Sequence, residues 1–429
     1  MPNGLLQTVP TGCILLSFCY LRVARLTLII PRFNLKEIVV APVRVAVIGL
    51  GQRGLQHLGA LWQLQAEGEV EIVALGDPRE ENRATEKLRQ FIPEFDPTGI
   101  GSFATFDELM QSSQPDALHL CIPPGFHAGE VVRAAQAGVH LFVEKPMSLF
   151  FDEAIEMETA IGAAGVVAAA GFQRRYEPSA EAAHQFLHDR RMVMVTMVSE
   201  GTLEAHSVKH SATAAGGGPA DKVWAKNRAW SGASVVEAGI HQTDLMRYWC
   251  GDIAWVQSAY VPRHADDIED GGDNPYAYTV TYGFQSGAVG NLLMSRLRKV
   301  YHHASYQIAM WDHGHLTFEQ EGLVAYFYDG PYPPQNPPNT EQIRHPLPTA
   351  EARDSTLAIN RDFIGAVRAG ADAAPAADLR CSFASSMNSL AAVLAANASH
   401  DLDGERIELT AFADDEQYAR FRKRDAQMS

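Results

Sequence analysis

The alternation of apolar and polar positions changes its grammar twice along this chain. From residue 43 onward, continuous apolar runs at 43–48, 70–75, 117–121, 139–143 and 166–170 are separated by amphipathic stretches at 54–67, 79–91, 128–137 and 152–163. Uninterrupted runs of this length suit strands covered on both faces, and the stretches between them suit crossover helices. The prediction for 43–171 is a doubly wound α/β domain built on a parallel sheet.

After Gly171 the pattern becomes that of an α+β domain, 172–429, with a large, mostly antiparallel open sheet. Runs at 192–199, 276–284 and 288–295 read as strands, and Ser286-Gly287 as a hairpin turn between the last two. Alternation puts Tyr276, Tyr278, Val280, Tyr282 and Phe284 on one face, and Ala277, Thr279 and Thr281 on the other. So apolar a face must pack on helices or on a second copy of itself, which predicts a homodimer or homotetramer formed through this sheet. Segments 205–226 and 330–348, rich in Gly and Pro, read as loops, the second with enough prolines to raise an SH3-type ligand as an alternative. Helices are predicted at 359–369 and 383–399.

Residues 1–42 stand apart. The stretch 13–30 is apolar, but Arg22 and Arg25 interrupt it, and no Lys or Arg precedes Cys13. A bilayer span or a secretory signal is poorly matched on both counts, so the expectation is a non-essential extension, with a membrane-associated leader as the alternative. Charge narrows the partners. With 35 Lys and Arg against 51 Asp and Glu, the formal net charge is −16, which disfavours nucleic acid and anionic membrane. The cysteines, Cys13, Cys19, Cys121, Cys250 and Cys381, include no C-x-x-C pair, which points to a reducing, cytoplasmic setting.

The candidate chemistry begins with Gly49-Leu50-Gly51-Gln52-Arg53-Gly54, which fits G-x-G-x-x-G directly after an apolar run and at the start of a helical pattern. Glycines there permit a tight turn, close approach of backbone to a pyrophosphate, and tight helix–strand packing. The next run ends at Asp77, where a carboxylate can accept hydrogen bonds from ribose hydroxyls. Together these features predict a Rossmann site for NAD or NADP. Asp77 favours NAD by repelling a 2′-phosphate, while Arg79 could pair with that phosphate.

Two further runs lead into Pro123, Pro124 and His127, and into Glu144-Lys145-Pro146. This order of motifs resembles the glucose-fructose oxidoreductase and inositol dehydrogenase family, also called Gfo/Idh/MocA. Gly171-Phe172-Gln173-Arg174-Arg175 and Glu237-Ala238-Gly239-Ile240-His241-Gln242-Thr243-Asp244 extend the likeness, which runs from about Val43 to the carboxyl terminus. The resemblance implies an NAD(P)-dependent oxidoreductase of a sugar, cyclitol or related polyol, with Lys145 beside nicotinamide and substrate hydroxyl and His241 facing it. The expected catalytic set is Lys145, His241 and Glu237. Gly49, Gly51, Gln52, Arg53, Gly54, Asp77, Arg79, Pro123, His127, Glu144 and Lys145 are expected at the cofactor, and Arg174, Glu237, His241 and Asp244 at the substrate.

Elementary chemistry agrees, since oxidising an alcohol needs a cation near the developing alkoxide and a base for the proton. Glu237 and His241, four residues apart, share a face if that segment is helical. Blander readings compete. Glu-Lys-Pro could be a surface ion pair, His127 a packing residue, His241 a core histidine, Asp244 a structural hydrogen-bonding group, and Arg174 and Arg175 a domain junction. The chain departs from the family pattern in having Glu237 where Asp or Asn is frequent, and Gly232-Ala233 where Gly-Gly is frequent. His302, His303, His313 and His315 prompt a metal reading, but no carboxylate or cysteine spacing supports it, and no metal is expected. The alternatives to a dehydrogenase are NAD-assisted elimination or glycoside hydrolysis on the same fold, and a non-catalytic dinucleotide sensor.

Overall fold

The computed structural model describes residues 41–202, 224–268, 272–297, 300, 305–320, 322–370 and 379–424. The first sheet consists of β1 Val43–Ile48, β2 Val70–Gly76, β3 Gly101–Phe103, β4 Ala117–Leu120, β5 His140–Val143 and β6 Ala168–Ala170. All its pairings are parallel, in the order β3-β2-β1-β4-β5-β6. The order reverses between β1 and β4, and that switch point opens a crevice beyond the carboxyl ends of the strands. Near-complete burial of β1, β4 and β5 explains why they read as continuous apolar runs.

Two elements here differ from the prediction. The expected single helix over 79–91 is two, Glu80–Arg83 and Thr85–Phe91, because Ala84 adopts an extended conformation between them. The apolar pattern does not announce the short β3 or the helix Phe106–Ser113, although Thr105 and Glu108 form a reciprocal capping box at that helix.

The second sheet has nine strands: β7 Met192–Thr202, β8 Ile253–Val261, β9 Ala277–Phe284, β10 Val289–Leu297, β11 Ser305–Trp311, β12 Gly314–Glu319, β13 Gly322–Phe327, β14 Arg344–Pro346 and β15 Ile407–Glu408. Its order is β14-β13-β12-β11-β7-β10-β9-β8-β15, antiparallel except for the parallel pair β7–β10. Residues 330–348, read as loop, contain a capped helical turn, Thr340–Ile343, as well as β14. Most of 205–226 lies outside the described residues.

Tyr278, Val280, Tyr282 and Phe284 are buried on one face of β9, as the alternation predicts. The chain's own helices cover them. Thr243 of the helix Ile240–Cys250 hydrogen-bonds the Tyr282 hydroxyl at 2.8 Å, and Tyr260 of neighbouring β8 reaches Asn397 of the helix Phe383–Asp401 at 3.1 Å. That apolar face is therefore internal and not an oligomer surface. The opposite face exposes Val261, Leu293, Leu297 and Tyr306.

No described helix is long and apolar enough to cross a membrane, and the stretch 13–30 lies outside the described residues. His302 and His303 also lie outside them. Exposed His313 pairs with Asp312, His315 stacks on Tyr326, and no metal-binding cluster of His, Cys, Asp or Glu occurs among the described residues.

Candidate active site

A cleft of about 740 Å³ opens at the switch point, lined by residues that include Gly49, Gly51, Gln52, Arg53, Asp77, Arg79, Pro123, Glu144, Lys145, Glu237 and His241. Its floor is the glycine turn between β1 and the helix Gln52–Ala66. Gly49 has φ +89°, and a Cβ there would lie 2.5 Å from the Cys121 carbonyl oxygen. A Cβ on Gly54 would lie 1.8 Å from the Gly49 carbonyl oxygen. At Gly51 a Cβ meets nothing within 4 Å, so the backbone there borders open space at a helix N-terminus, as a pyrophosphate requires.

At the end of β2, the Asp77 carboxylate accepts from the Leu50 N–H at 2.8 Å, the Arg79 N–H at 2.9 Å and Asn82 Nδ2 at 3.0 Å. Lys87, only 4% exposed, donates to Asn82 Oδ1 at 2.6 Å, and burial is the main reason its pKa is lowered. This ribose end of the crevice thus carries a fixed acid.

After β5 the chain turns through Glu144-Lys145-Pro146, with a cis Lys145–Pro146 bond. Glu144 Oε1 accepts from Arg53 Nε at 2.9 Å and from His57 Nε2 at 2.8 Å, and Oε2 accepts the Lys145 backbone N–H at 2.9 Å. Burial alone would raise the Glu144 pKa. The Arg53 charge, then the His57 hydrogen bond, outweigh it and hold the carboxyl well below its usual range. Lys145 Nζ crosses the cleft to Glu237, 2.7 Å from its backbone oxygen and 3.3 Å from Oε1.

Glu237 and His241 both face the cleft, though not from one helix. Glu237 ends the short helix Ser234–Glu237, His241 lies in the first turn of Ile240–Cys250, and the chain bends at Gly239, where a Cβ would lie 2.5 Å from the Val235 oxygen. Ala233, at the departure from Gly-Gly, keeps a glycine-type conformation, φ 72° and ψ 165°. Burial, then the charges of Lys145 and Arg174, hold the His241 pKa well below its ordinary value, so its imidazole is neutral at physiological pH.

Four expected contacts fall elsewhere. Gly54 faces the Gly49 carbonyl and does not line the cleft. The 3-10 turn Pro124–Phe126 presents Phe126 to the cleft, and the extended residue after it, His127, turns its ring inside the protein, 3.9 Å from Glu130. Asp244 is buried and clamped by Arg175 through two 2.7 Å hydrogen bonds, with Ser389 at 2.9 Å, an ion pair that ties helix to junction. Arg174 pairs with Glu177 at 3.2 Å and does not line the cleft, acting on the site through its charge on His241.

Other residues enter the cleft wall without having been singled out: Asn82, Phe126, Gln173 and Trp230. Phe126 and Trp230 form a tilted aromatic pair with centroids 5.9 Å apart. Gln173 belongs to the Gly171–Arg175 motif, but nothing in the spacing marks Trp230. Gln52 Oε1, Gln173 Oε1 and His241 Nδ1 are buried without a hydrogen-bond partner among the described residues, and all three residues line the cleft. Orphaned polar atoms of this kind call for a ligand. The open space at Gly51, Gln52 beside it and the acid at Asp77 fit a dinucleotide.

The fold and this crevice define a dinucleotide-binding protein of the oxidoreductase class. Residues 43–172 match the model of the oxidoreductase family with NAD-binding Rossmann fold, and 194–313 match the GFO/IDH/MocA C-terminal domain. The chain belongs to the Gfo/Idh/MocA family of NAD(P)-dependent oxidoreductases.

Among curated relatives, it is 27% identical over 261 residues to scyllo-inositol 2-dehydrogenase (NAD(+)) of Bacillus subtilis, covering 59% of this chain and 67% of that protein. It is 25% identical over 217 residues to D-glucoside 3-dehydrogenase of Escherichia coli, covering 49% and 55%. The fold is shared with an Agrobacterium radiobacter oxidoreductase solved with NAD+, L-tartaric acid and magnesium, at TM-score 0.66 and 15% identity over 86% of this chain and 99% of that one. It is also shared with the WlbA dehydrogenase of Bordetella pertussis solved with NADH and UDP-GlcNAcA, at TM-score 0.63 and 19% identity over 86% and 98%.

Proposed function

We propose that this protein transfers a hydride between NAD(P) and a hydroxyl-bearing carbon of a sugar, cyclitol or related polyol. The observation that carries the reading is the convergence of Lys145, Glu237 and a neutral, half-buried His241 on the cleft that holds the open glycine turn. When bound, the nicotinamide supplies the hydride acceptor or donor. The protein supplies the rest. Lys145 commits two of its three donors to Glu237, and the third is directed at the substrate oxygen, where it stabilises negative charge as the alkoxide develops. The imidazole of His241 takes the hydroxyl proton. Glu237 holds Lys145 in place, and Gln173 is placed to bind a further hydroxyl.

Gly49, Gly51, Gln52 and Arg53 hold the pyrophosphate, with Gly54 letting the helix pack closely on the turn, Asp77 and Arg79 hold the adenosine ribose, and Pro123 and Glu144 the nicotinamide end. We assign NAD as the preferred cofactor because Asp77 is buried and fixed as an anion acceptor for ribose hydroxyls. The relatives named for inositol and glucoside dehydrogenation support the substrate class. The exposed sheet face with Val261, Leu293, Leu297 and Tyr306 is the proposed homo-oligomer surface.

The test is titration of the purified protein with NADH and NADPH by fluorescence, then a polyol and sugar panel scored for nicotinamide reduction, with Lys145→Met alongside. Reduction by wild type and not by Lys145→Met is expected. NADH binding with no nicotinamide reduction across the panel would count against the proposed substrate class.

A further inference from the structure

We propose that His57 and Asn360 are positioning residues for Lys145: a chain of hydrogen bonds running in one direction, from His119 through Asn360 and His57 to Glu144, fixes the carboxylate that holds the Lys145 backbone. The proposal rests on the reading of Lys145 as the group facing the substrate oxygen. His119 Nε2 lies 2.7 Å from Asn360 Oδ1, Asn360 Nδ2 lies 2.8 Å from His57 Nδ1, and His57 Nε2 lies 2.8 Å from Glu144 Oε1. Glu144 Oε2 then receives the Lys145 N–H.

A backbone carbonyl sets the direction. Asn360 Nδ2 also donates to the Thr356 oxygen at 2.7 Å, and a carbonyl can only accept, so the amide cannot be flipped without placing two oxygens in contact. His57 Nδ1 must then accept from Asn360, its proton must sit on Nε2, and that proton must go to Glu144. By the same logic His119 carries its proton on Nε2, toward Asn360 Oδ1.

His57, His119 and Asn360 have no exposed surface, and none of the three lines the cleft. Their surroundings hold both imidazoles neutral. His57 faces Glu144, Arg53 and the Phe142 ring, and His119 faces Phe142 and Phe363. Burial first, then the neighbouring His57, pushes His119 down to about 3, and burial also lowers His57. On the helix Ser355–Ala369, Thr356 Oγ1 receives Arg53 NH1 at 3.3 Å, so the same helix steadies both cation and imidazole on Glu144.

The test is histidine-selective 15N NMR on the cofactor-free protein, with the Lys145 amide resonance read in the same samples. Both imidazoles should appear as neutral Nε2–H tautomers at neutral pH, and Asn360→Leu should shift the Lys145 amide. With NAD and scyllo-inositol as probe, Asn360→Leu and His57→Phe should lower kcat on the order of 100-fold, the scale of a catalytic group misplaced by an ångström, while KM and NADH Kd stay put. His57→Gln, which can still donate to Glu144, should restore most of the loss. A His57 proton on Nδ1, an imidazole titrating near its ordinary pKa, or an unmoved Lys145 amide in Asn360→Leu overturns the proposal. If Asn360→Leu does not fold, the wild-type tautomers decide alone. Undiminished turnover in Lys145→Met removes the assignment of Lys145 itself, whereas loss there with none in Asn360→Leu removes only the chain.

Discussion

Lys145 Nζ lies 2.7 Å from the backbone oxygen of Glu237, on the far side of the cleft, and 3.3 Å from its Oε1. The cation is thus anchored by the segment that also presents His241. Lys145→Met should keep NADH affinity near normal, because the pyrophosphate and ribose contacts lie elsewhere, and lower kcat on the order of 100- to 1000-fold. Fluorescence titration and steady-state rates on the same preparation separate the two effects.

His241 should set the acidic limb of the oxidation rate. Its folded pKa lies well below the ordinary 6.5, so the base form persists as pH falls through 6.5 and is lost only further down. The kcat/KM profile should be flat across neutrality and fall at lower pH, and His241→Ala should abolish that limb. Arg174→Gln removes a charge that depresses the imidazole, so the limb should move to higher pH. An identical profile in Arg174→Gln would show that Arg174 has no electrostatic hold on the site.

The glycines of the turn should separate folding from binding. Gly51→Val places its side chain in open space and should fold with a normal far-UV spectrum while losing dinucleotide binding. Gly54→Val drives a Cβ into the Gly49 carbonyl and should fail to fold stably. Retained NADH affinity in a folded Gly51→Val would remove the turn from the cofactor site.

Asp77→Ser should shift the ratio of NADP to NAD affinity toward NADP, with Arg79 as the phosphate partner. It should also cost stability. Three donors and buried Lys87 lose their anion, and a buried group left unsatisfied costs about 1–3 kcal/mol. A wild type that already prefers NADP strongly contradicts the role given to Asp77.

Ala233→Gly should stabilise the protein by about 1 kcal/mol, since Ala233 holds a backbone region essentially reserved for glycine, where strain runs about 1–3 kcal/mol before the entropy of an added glycine is subtracted. Urea midpoints at unchanged m-value measure it.

Much of this candidate site was legible because its signals are local. The turn of Gly49 to Gly54, the acid at Asp77 and the Glu144-Lys145 pair each follow an apolar run, and position after a buried strand is itself the functional cue. The rest depends on long-range packing. Asp244 and His241 sit three residues apart on one helix, close enough to share a face, yet one faces Arg175 and the other the cleft, a difference set by what packs against each turn. The break at Ala84 has no glycine or proline to announce it. β3 is three residues long, too short for any alternation to register. Asn360, more than 200 residues from Lys145, had no pattern of its own.

The insertion of Asn360 between His57 and His119 bears on how such a protein can be divided and recombined. The segment that carries the glycine turn is not a cassette to be lifted out and grafted onto another substrate domain. Excised alone, it would take two imidazoles whose only described amide partner stays behind on the helix Ser355–Ala369. Chimeras that exchange the carboxy-terminal half would have to transplant that helix together with the turn, or evolve both sides of the bridge in step.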